Sequence, residues 1–175
     1  MDHRGVSAVA GAITLVLERL WTPGLLDGVT PAFQSYQSED FADPMRTGLS
    51  VFVHRVAGAP QLRRVPQRDG PERPGVSVEV HFLLTAWAES APLEQSLLGW
   101  GATVLAEHPV MDSSLLNEAA PGVCGPDESI HVRAQDDHEV GHLWQALPRP
   151  MPLSLSFVTS AVHLVRGGGS PVGRP

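Results

Sequence analysis

Two histidines one helical turn apart are the residues that could most readily do chemistry in this chain. The pentapeptide from His138 to His142 reads H-E-x-x-H, with Glu139 between the histidines. In zinc proteases this spacing places both imidazoles on one face of a helix, where they bind Zn²⁺, and the glutamate activates the metal-bound water. Taken alone, the pattern indicates a zinc hydrolase.

The surroundings of this pentapeptide argue against a metal centre. A catalytic zinc needs a third protein ligand, yet no aspartate or glutamate follows Glu139. Gln145 and Pro148 stand where the metzincin extension would place its glycine and third histidine. The downstream imidazole, His163, falls in a predicted strand whose alternation gives no reason to aim it at the helix. We therefore predict no metal, no cofactor and no enzymatic activity, and zinc hydrolysis stays as an alternative.

An aspartate just upstream offers a structural interpretation of the same segment. Asp136 and Glu139 fit a capping box, which predicts a helix through Leu147 with His138 in its first turn. Zinc-protease helices usually bury the motif in mid-helix. The match is therefore interpreted as a capped helix with an exposed His138 and with His142 near an interface.

The other reactive side chains have ordinary interpretations. Cys124 is the only cysteine, so no intrachain disulfide can form, and a small buried or half-buried thiol is preferred to a catalytic one. His54 and His81 fall on neighbouring predicted strands and could share a face. Most such pairs are solvent-facing cross-strand neighbours, and without a third ligand they do not indicate a metal.

Composition limits the classes of protein and of partner. The chain has 175 residues, Gly 17, Pro 16 and a formal net charge of -7, and all its 12 Lys+Arg are arginine. This length favours one domain with its own core. The acidic balance argues against nucleic acid, and no apolar run is long enough for a membrane span. The apolar N-terminal run has helical periodicity and lacks a cleavage region, so synthesis and folding in the cytoplasm are expected.

Periodicity predicts an α+β fold, with a single, mainly antiparallel sheet of about four to five strands packed with two to three helices. One domain is expected over residues 1–166, followed by a flexible Gly/Pro-rich tail over 167–175. Residues 22–48 leave room for one short strand, and 109–129 are expected to be irregular. The first predicted helix ends by Trp21, and two further helices are predicted over 92–107 and 136–147. Predicted strands cover 49–56, 76–85, 130–133 and 153–165. The last of these strands is predicted to contain a bulge near Val158.

Several segments resemble a known family. His81-Phe-Leu-Leu-Thr-Ala-Trp-Ala, Leu93-Glu-Gln-Ser-Leu-Leu-Gly-Trp and Leu105-Ala-Glu-His-Pro-Val-Met are similar to the central signature of tail terminator, or cap, proteins of phage-tail-like contractile injection systems. The segments 6–10, 49–56, 60–63 and 143–147 agree, so the similarity covers about residues 5 to 166. Family members normally lack H-E-x-x-H before the Leu-Trp helix, and the family offers no catalytic residues to carry over.

The resemblance implies a structural role. The expected product is a ring, a homohexamer, seated on the baseplate-distal end of the inner tube and sheath, where it stops their polymerisation. The implied partners are the chain itself, the tube and the sheath. The chain would then join an assembled particle that can be released from the cell. A bacteriophage tail-completion protein is the neighbouring alternative.

Two segments are candidate interfaces for such a ring. A long connection, Ala57 to Gly75, separates the first two predicted strands and is either a mobile tip or a contact arm onto acidic tube or sheath surfaces. The last predicted strand, Leu153 to Val165, is a candidate sheet edge for strand addition. The candidate interface residues are Arg63, Arg64, Arg68 and Arg73 in the connection, and Leu153, Leu155 and Phe157 in the strand.

Overall fold

The computed structural model describes residues 1–26, 28–58, 63–67, 70–136, 140–147 and 152–165. The predicted tail over 167–175 lies outside these residues. The helices are α1 (Gly5–Leu20), α2 (Ala91–Glu107), α3 (Ser113–Ala119) and α4 (Val140–Ala146), with a short 3-10 helix at Ser38–Phe41. The strands are β1 (Ala32–Tyr36), β2 (Gly48–Gly58), β3 (Arg63–Gln67), β4 (Gly70–Trp87), β5 (Val110–Met111), β6 (Ile130–Ala134), β7 (Ser154–Thr159) and β8 (Val162–Val165).

The strands form one sheet in the order β1-β2-β4-β7-β6-β5, with β3 and β8 also paired to β4. The pairing of β1 with β2 is parallel, and the other described pairings are antiparallel. The predicted α+β class and antiparallel character are confirmed. The predicted strand count was too low, since the described residues form an 8-stranded sheet.

One of the extra strands, β3, comes from the segment predicted as a long connection, and the start of β4 extends into the same segment. Arg63 pairs with Gly75, Val65 with Arg73 and Gln67 with Gly70, so β3 and the first part of β4 form a two-stranded ribbon. We call residues 63–67 and 70–75 the ribbon. Its prolines hid it in the sequence, because proline is excluded from central strands but tolerated where one edge of a strand is unpaired.

The predicted bulge in the last strand is confirmed and explains another extra strand. Val158 pairs with His81 of β4, whereas Val162 pairs with Val78. The span from 158 to 162 is one residue longer than the span from 78 to 81, so the strand is divided into β7 and β8. The backbone N–H of Val80 donates to Oγ1 of Thr159 at 3.0 Å, which satisfies a donor left over by the bulge.

Three helices cover one side of the sheet, which we call the main face. Alternate residues of the predicted strand 76–85 point to this face of β4, where Val78, Val80, Phe82 and Leu84 are buried. α1 buries Val9, Ile13 and Leu17 against it, and α2 ends at residue 107, before His108-Pro109, as expected. α3 falls in the segment predicted to be irregular, where the side chain of Asp112 accepts a hydrogen bond from Leu115 N and caps its start.

The opposite side, the second face, carries its own apolar cluster. Tyr36, Phe41, Phe52, Leu83, Trp87, Val140 and Trp144 form it. The 3-10 helix contributes Phe41, and α4 contributes Val140 and Trp144. β4 is therefore apolar on both faces near its end. Polar and apolar residues do not alternate regularly there, as they would in a strand with one side facing solvent.

Two glycines allow elements to approach the sheet closely. At Gly48 a Cβ would lie 2.0 Å from the carbonyl oxygen of Ala32, where β1 joins β2. At Gly101 a Cβ would lie 2.6 Å from Leu49 Cδ1 and 3.1 Å from Leu84 Cδ2, so α2 rests directly on the main face. None of the helices in the described residues has both the length and the apolar character needed to span a bilayer.

Candidate functional site

The described half of the zinc-like pentapeptide belongs to a packing element. Val140 and Trp144 are 7% and 6% exposed within the second-face cluster, whereas His142 is exposed; its predicted place near an interface stays a prediction. His138 and Glu139 lie outside the described residues. In the described part of the segment, burial of the apolar side chains therefore sets the orientation of the helix.

The downstream imidazole lies far from this helix along the sheet. His163 is exposed on β8, where it pairs with Ser77 and its Nδ1 lies 2.7 Å from the Ser77 hydroxyl. α4 contacts Leu83, six residues further along β4, which is about 20 Å in a strand. Among the described residues, no group of three or more metal-ligating side chains occurs.

The two strand histidines share a face, but one of them is not solvent-facing. Their rings lie 6.3 Å apart between centroids, because a bulge in β2 places both His54 and Arg55 opposite His81. His81 is 6% exposed, and its Nε2 lies 4.0 Å from a carboxylate oxygen of Glu79. The expectation of a solvent-facing pair was wrong for His81, since the second face is covered.

The cysteine has the character expected of a structural thiol. Cys124 is half-buried, its backbone N–H donates to Asn117 Oδ1 at 3.2 Å, and its carbonyl accepts from Asn117 Nδ2 at 3.1 Å. Burial, reinforced by the nearby Glu128 carboxylate, raises the pKa of the Cys124 thiol. A raised pKa lowers the thiolate fraction, and with it the nucleophilicity of the sulfur.

The ribbon places the candidate arginines at one end of the molecule. β2 follows β4 only as far as Gly58, opposite Val78, and β8 pairs with residues 75–78. Before Gly75 the described strands leave β4 paired with β3 alone, so the ribbon extends past the body of the sheet. Arg63, Arg64 and Arg73 lie on its strands; Arg68 lies outside the described residues.

The candidate edge strand is paired on both sides over part of its length. β6 pairs with Phe157, Val158 and Thr159, and Gln135 N donates to Ser156 O, while β4 lies on the other side. The edge prediction was therefore wrong for the second half of β7. Phe157 is 3% exposed and stacks on Phe82, so its side chain belongs to the core.

Side chains at the start of the predicted strand 153–165 are exposed to solvent. Leu153 and Leu155 are each 40% exposed. Leu155 pairs with Leu84 of β4, and the Leu153 carbonyl accepts from Ala86 N. The exposed leucines therefore lie at the end of the sheet away from the ribbon.

Comparison with known proteins assigns the family. The sequence model of the Pvc16 N-terminal domain family matches residues 9–175. The chain belongs to the Pvc16 N-terminal domain family. No curated protein matches it significantly.

Two solved structures share the fold of this Pvc16 N-terminal domain. The sheath/tube terminator of the extracellular contractile injection system PVC, in its extended state, matches 96% of this chain with a TM-score of 0.61 and 18% identity. The tube-terminating cap of the anti-feeding prophage matches 95% of this chain with a TM-score of 0.56 and 18% identity. The chain spans only 59% and 57% of those two proteins.

One surface of this Pvc16 N-terminal domain was missed by the sequence analysis. Trp21, Phe33 and Trp100 come from the end of α1, from β1 and from α2, and all three are half-buried. The Trp21 and Trp100 rings meet edge to face with centroids 4.9 Å apart, and Phe33 lies 6.2 Å and 5.7 Å from them. We call these three residues the aromatic patch. The one available signal was Trp100, seven residues after Leu93 on the same helix stripe, but the partners come from distant segments.

Proposed function

We propose that this domain is a structural cap: it forms a ring on the end of the inner tube and sheath of a contractile injection system and ends their polymerisation. The observation that carries this function is the family match over residues 9–175, together with two structural neighbours whose names are terminator and cap. The role is structural rather than catalytic.

The surfaces of the chain fit a ring. A closed ring with rotational symmetry needs two different surfaces on each subunit, because each subunit contacts one neighbour with one surface and the other neighbour with the second. The ribbon and the aromatic patch are two such surfaces. Six subunits, as the family resemblance implies, would form a homohexamer.

A different part of the surface is available for the tube and sheath. Among the described residues, β6 pairs with β7 only from Phe157 onward, and the exposed leucines Leu153 and Leu155 lie before that point. An unpaired strand edge beside apolar side chains can accept an additional strand from a partner. We propose this strand end as the contact for a tube or sheath segment.

Particle length tests the capping function. Injection particles are assembled in cells with the gene for this chain intact or deleted, and their lengths are measured in micrographs. Deletion should produce overlong, variable sheath-tube particles. Particles of normal and uniform length without the chain would refute the proposal.

A deletion within the chain distinguishes loss of the capping surface from loss of the fold. Removal of residues 60–73, which takes out most of the ribbon, should leave a folded chain that no longer caps. Folding is checked by circular dichroism and thermal unfolding. The matched variant Leu155→Ser changes the exposed strand end instead, and it should weaken tube or sheath binding while leaving the purified ring intact.

The particle is expected to contain the chain after synthesis in the cytoplasm. Mass spectrometry of purified particles should therefore detect it in constant ratio to sheath protein. Zinc content is measured on the same material, because the hydrolase alternative requires stoichiometric zinc that His142→Ala would remove.

A further inference from the structure

We propose that the ring contact joins the ribbon of one subunit to the aromatic patch of the next, so that these two surfaces are the two halves of one heterologous interface. The inference rests on the ring of the proposed function. It names the partner of the ribbon as a second copy of this chain, instead of the tube or sheath surface that the sequence analysis expected.

The aromatic patch has the chemistry of a binding site for a protein segment. Its three rings contact one another and remain half-buried, and Leu20, which precedes Trp21 in the sequence, is 38% exposed. Contiguous exposed apolar surface of this kind marks interaction sites. Tryptophan is among the residues that contribute most binding energy at interfaces.

The ribbon is basic in sequence, whereas exposed carboxylates lie on the two helices that contribute to the aromatic patch. Arg63, Arg64 and Arg73 of the ribbon outnumber its one described acid, Glu72. Glu107 lies on α2 seven residues after Trp100, and therefore on the same side of the helix. Glu18 lies in the last turn of α1 and is exposed, as is Glu107.

The cation nearest in sequence to Trp21 is already paired. Arg19 forms an ion pair with Glu118 of α3. The helices that contribute Trp21 and Trp100 therefore also carry exposed carboxylates, and guanidinium groups bind aromatic rings by cation–π contacts and carboxylates by ion pairing.

The positions of the surfaces exclude contact within one subunit. Phe33 pairs with Leu49, which pairs with Ala86, so the patch lies at the end of β4. The ribbon begins at Gly75, eleven residues earlier on the same strand, a separation of about 36 Å. Complementary surfaces at opposite ends of a subunit produce head-to-tail contacts, which close into a ring when the rotation allows it.

Charge reversal on each side tests the pairing. One variant carries Arg63→Glu and Arg64→Glu on the ribbon, and the other carries Glu18→Arg and Glu107→Arg on the two helices that contribute to the patch. Each reverses charges on exposed or protruding segments, so both are expected to fold. Either variant alone should bind itself at least about 30-fold more weakly than the wild-type chain, measured by sedimentation or mass photometry.

Mixing the two variants gives the decisive result. The reversed ribbon then faces the reversed patch, and the unchanged ribbon faces the unchanged patch, so every junction is again complementary. An equimolar mixture should form rings of alternating subunits. The control pair, Arg133→Glu and Glu39→Arg, changes exposed charges elsewhere and should leave the ring unaffected.

Several results would overturn the inference. The first is that either variant alone associates with itself as strongly as the wild-type chain does. The second is that the mixture fails to associate, and the third is that the wild-type chain stays monomeric. Variants that keep their rings but yield overlong particles would assign the ribbon to the tube or sheath. That outcome refutes this interface and leaves the capping function standing, whereas normal particles in the gene deletion refute the capping function itself.

Discussion

The two faces of the sheet both bury aromatic and aliphatic side chains, but they are covered to different extents. α1, α2 and α3 lie on the main face, where Phe82, Leu84 and Leu49 are fully buried. The second face has the 3-10 helix and the seven-residue α4 over its cluster. The difference indicates that the main face carries the stability of the domain, while the cover of the second face can open locally.

Truncation of a central side chain on the main face should have the largest effect. Phe82→Ala removes a fully buried ring that stacks on Phe157 at 5.4 Å. We expect a loss of about 4 kcal/mol in the free energy of unfolding, from lost transfer free energy and the cavity that remains. Chemical denaturation measures it, with Phe82→Leu as the milder control. A loss below about 1 kcal/mol would contradict the central role of this face.

The matching truncation on the second face should cost less. Trp144→Ala removes the main anchor of α4. The loss in the free energy of unfolding cannot exceed the free energy with which α4 binds the second face. Once the helix has separated from the sheet, no further contacts are lost. We expect roughly half the effect of Phe82→Ala. Amide hydrogen exchange should accelerate in α4 while protection of α2 is kept, and equal acceleration in both helices would refute local opening.

The close contact of α2 with the main face is tested by two glycines of the same helix. Gly101→Ala places a Cβ 2.6 Å from Leu49 Cδ1, so the buried leucine side chain must shift, and the substitution should destabilise by about 1 kcal/mol after the gain in helix propensity. Gly99→Ala meets nothing within 4 Å and should stabilise by up to about 1 kcal/mol through helix propensity. Thermal unfolding should lower the midpoint temperature for Gly101→Ala and raise it for Gly99→Ala. Changes of the same sign in both variants would show that contact with the sheet is not the reason for glycine at position 101.

The single tyrosine provides a pH probe of the second face. The Tyr36 hydroxyl accepts a hydrogen bond from Met45 N at 2.7 Å, and burial raises its pKa above the usual 10.0. The unfolded chain therefore releases this proton at lower pH than the folded chain. The associated stability is present below pH 10 and is lost as the pH rises through the folded pKa.

Tyr36→Phe should remove this pH dependence and cost about 1 kcal/mol at neutral pH, because the Met45 N–H loses its acceptor. Ultraviolet absorbance reports ionisation of Tyr36 alone, since the chain has one tyrosine. A folded-state titration at the ordinary tyrosine pKa would mean that the second-face cluster is open to water.

The same contrast explains which parts of the fold could be predicted. The inward row on β4 and the stripe of α1 follow from local periodicity, and both lie on the main face. On the second face, Leu83 and Trp87 alternate with Thr85 and His81, so the pattern is mixed. What covers them, the 3-10 helix and α4, comes from distant parts of the chain.

The candidate surfaces divide in a similar way. The arginines of the ribbon are visible in the sequence, yet their strands are not, because Pro66, Pro71 and Pro74 interrupt any alternation. Leu153, Leu155 and Phe157 were predicted alike as interface residues, but only the two leucines are exposed, since the burial of Phe157 depends on β6, which joins β7 at that residue. Each of these outcomes is decided by a strand partner that is remote in sequence.

The sequence by itself determined the α+β class, the main helices, the bulge in the last strand and the resemblance to cap proteins, because spacing and local residue types are sufficient for these. Only the tertiary structure decided the burial of His81, the ribbon and the aromatic patch. The physical reason is that burial and strand pairing depend on which distant segments meet. Trp21, Phe33 and Trp100 become one surface only when α1, β1 and α2 have packed together.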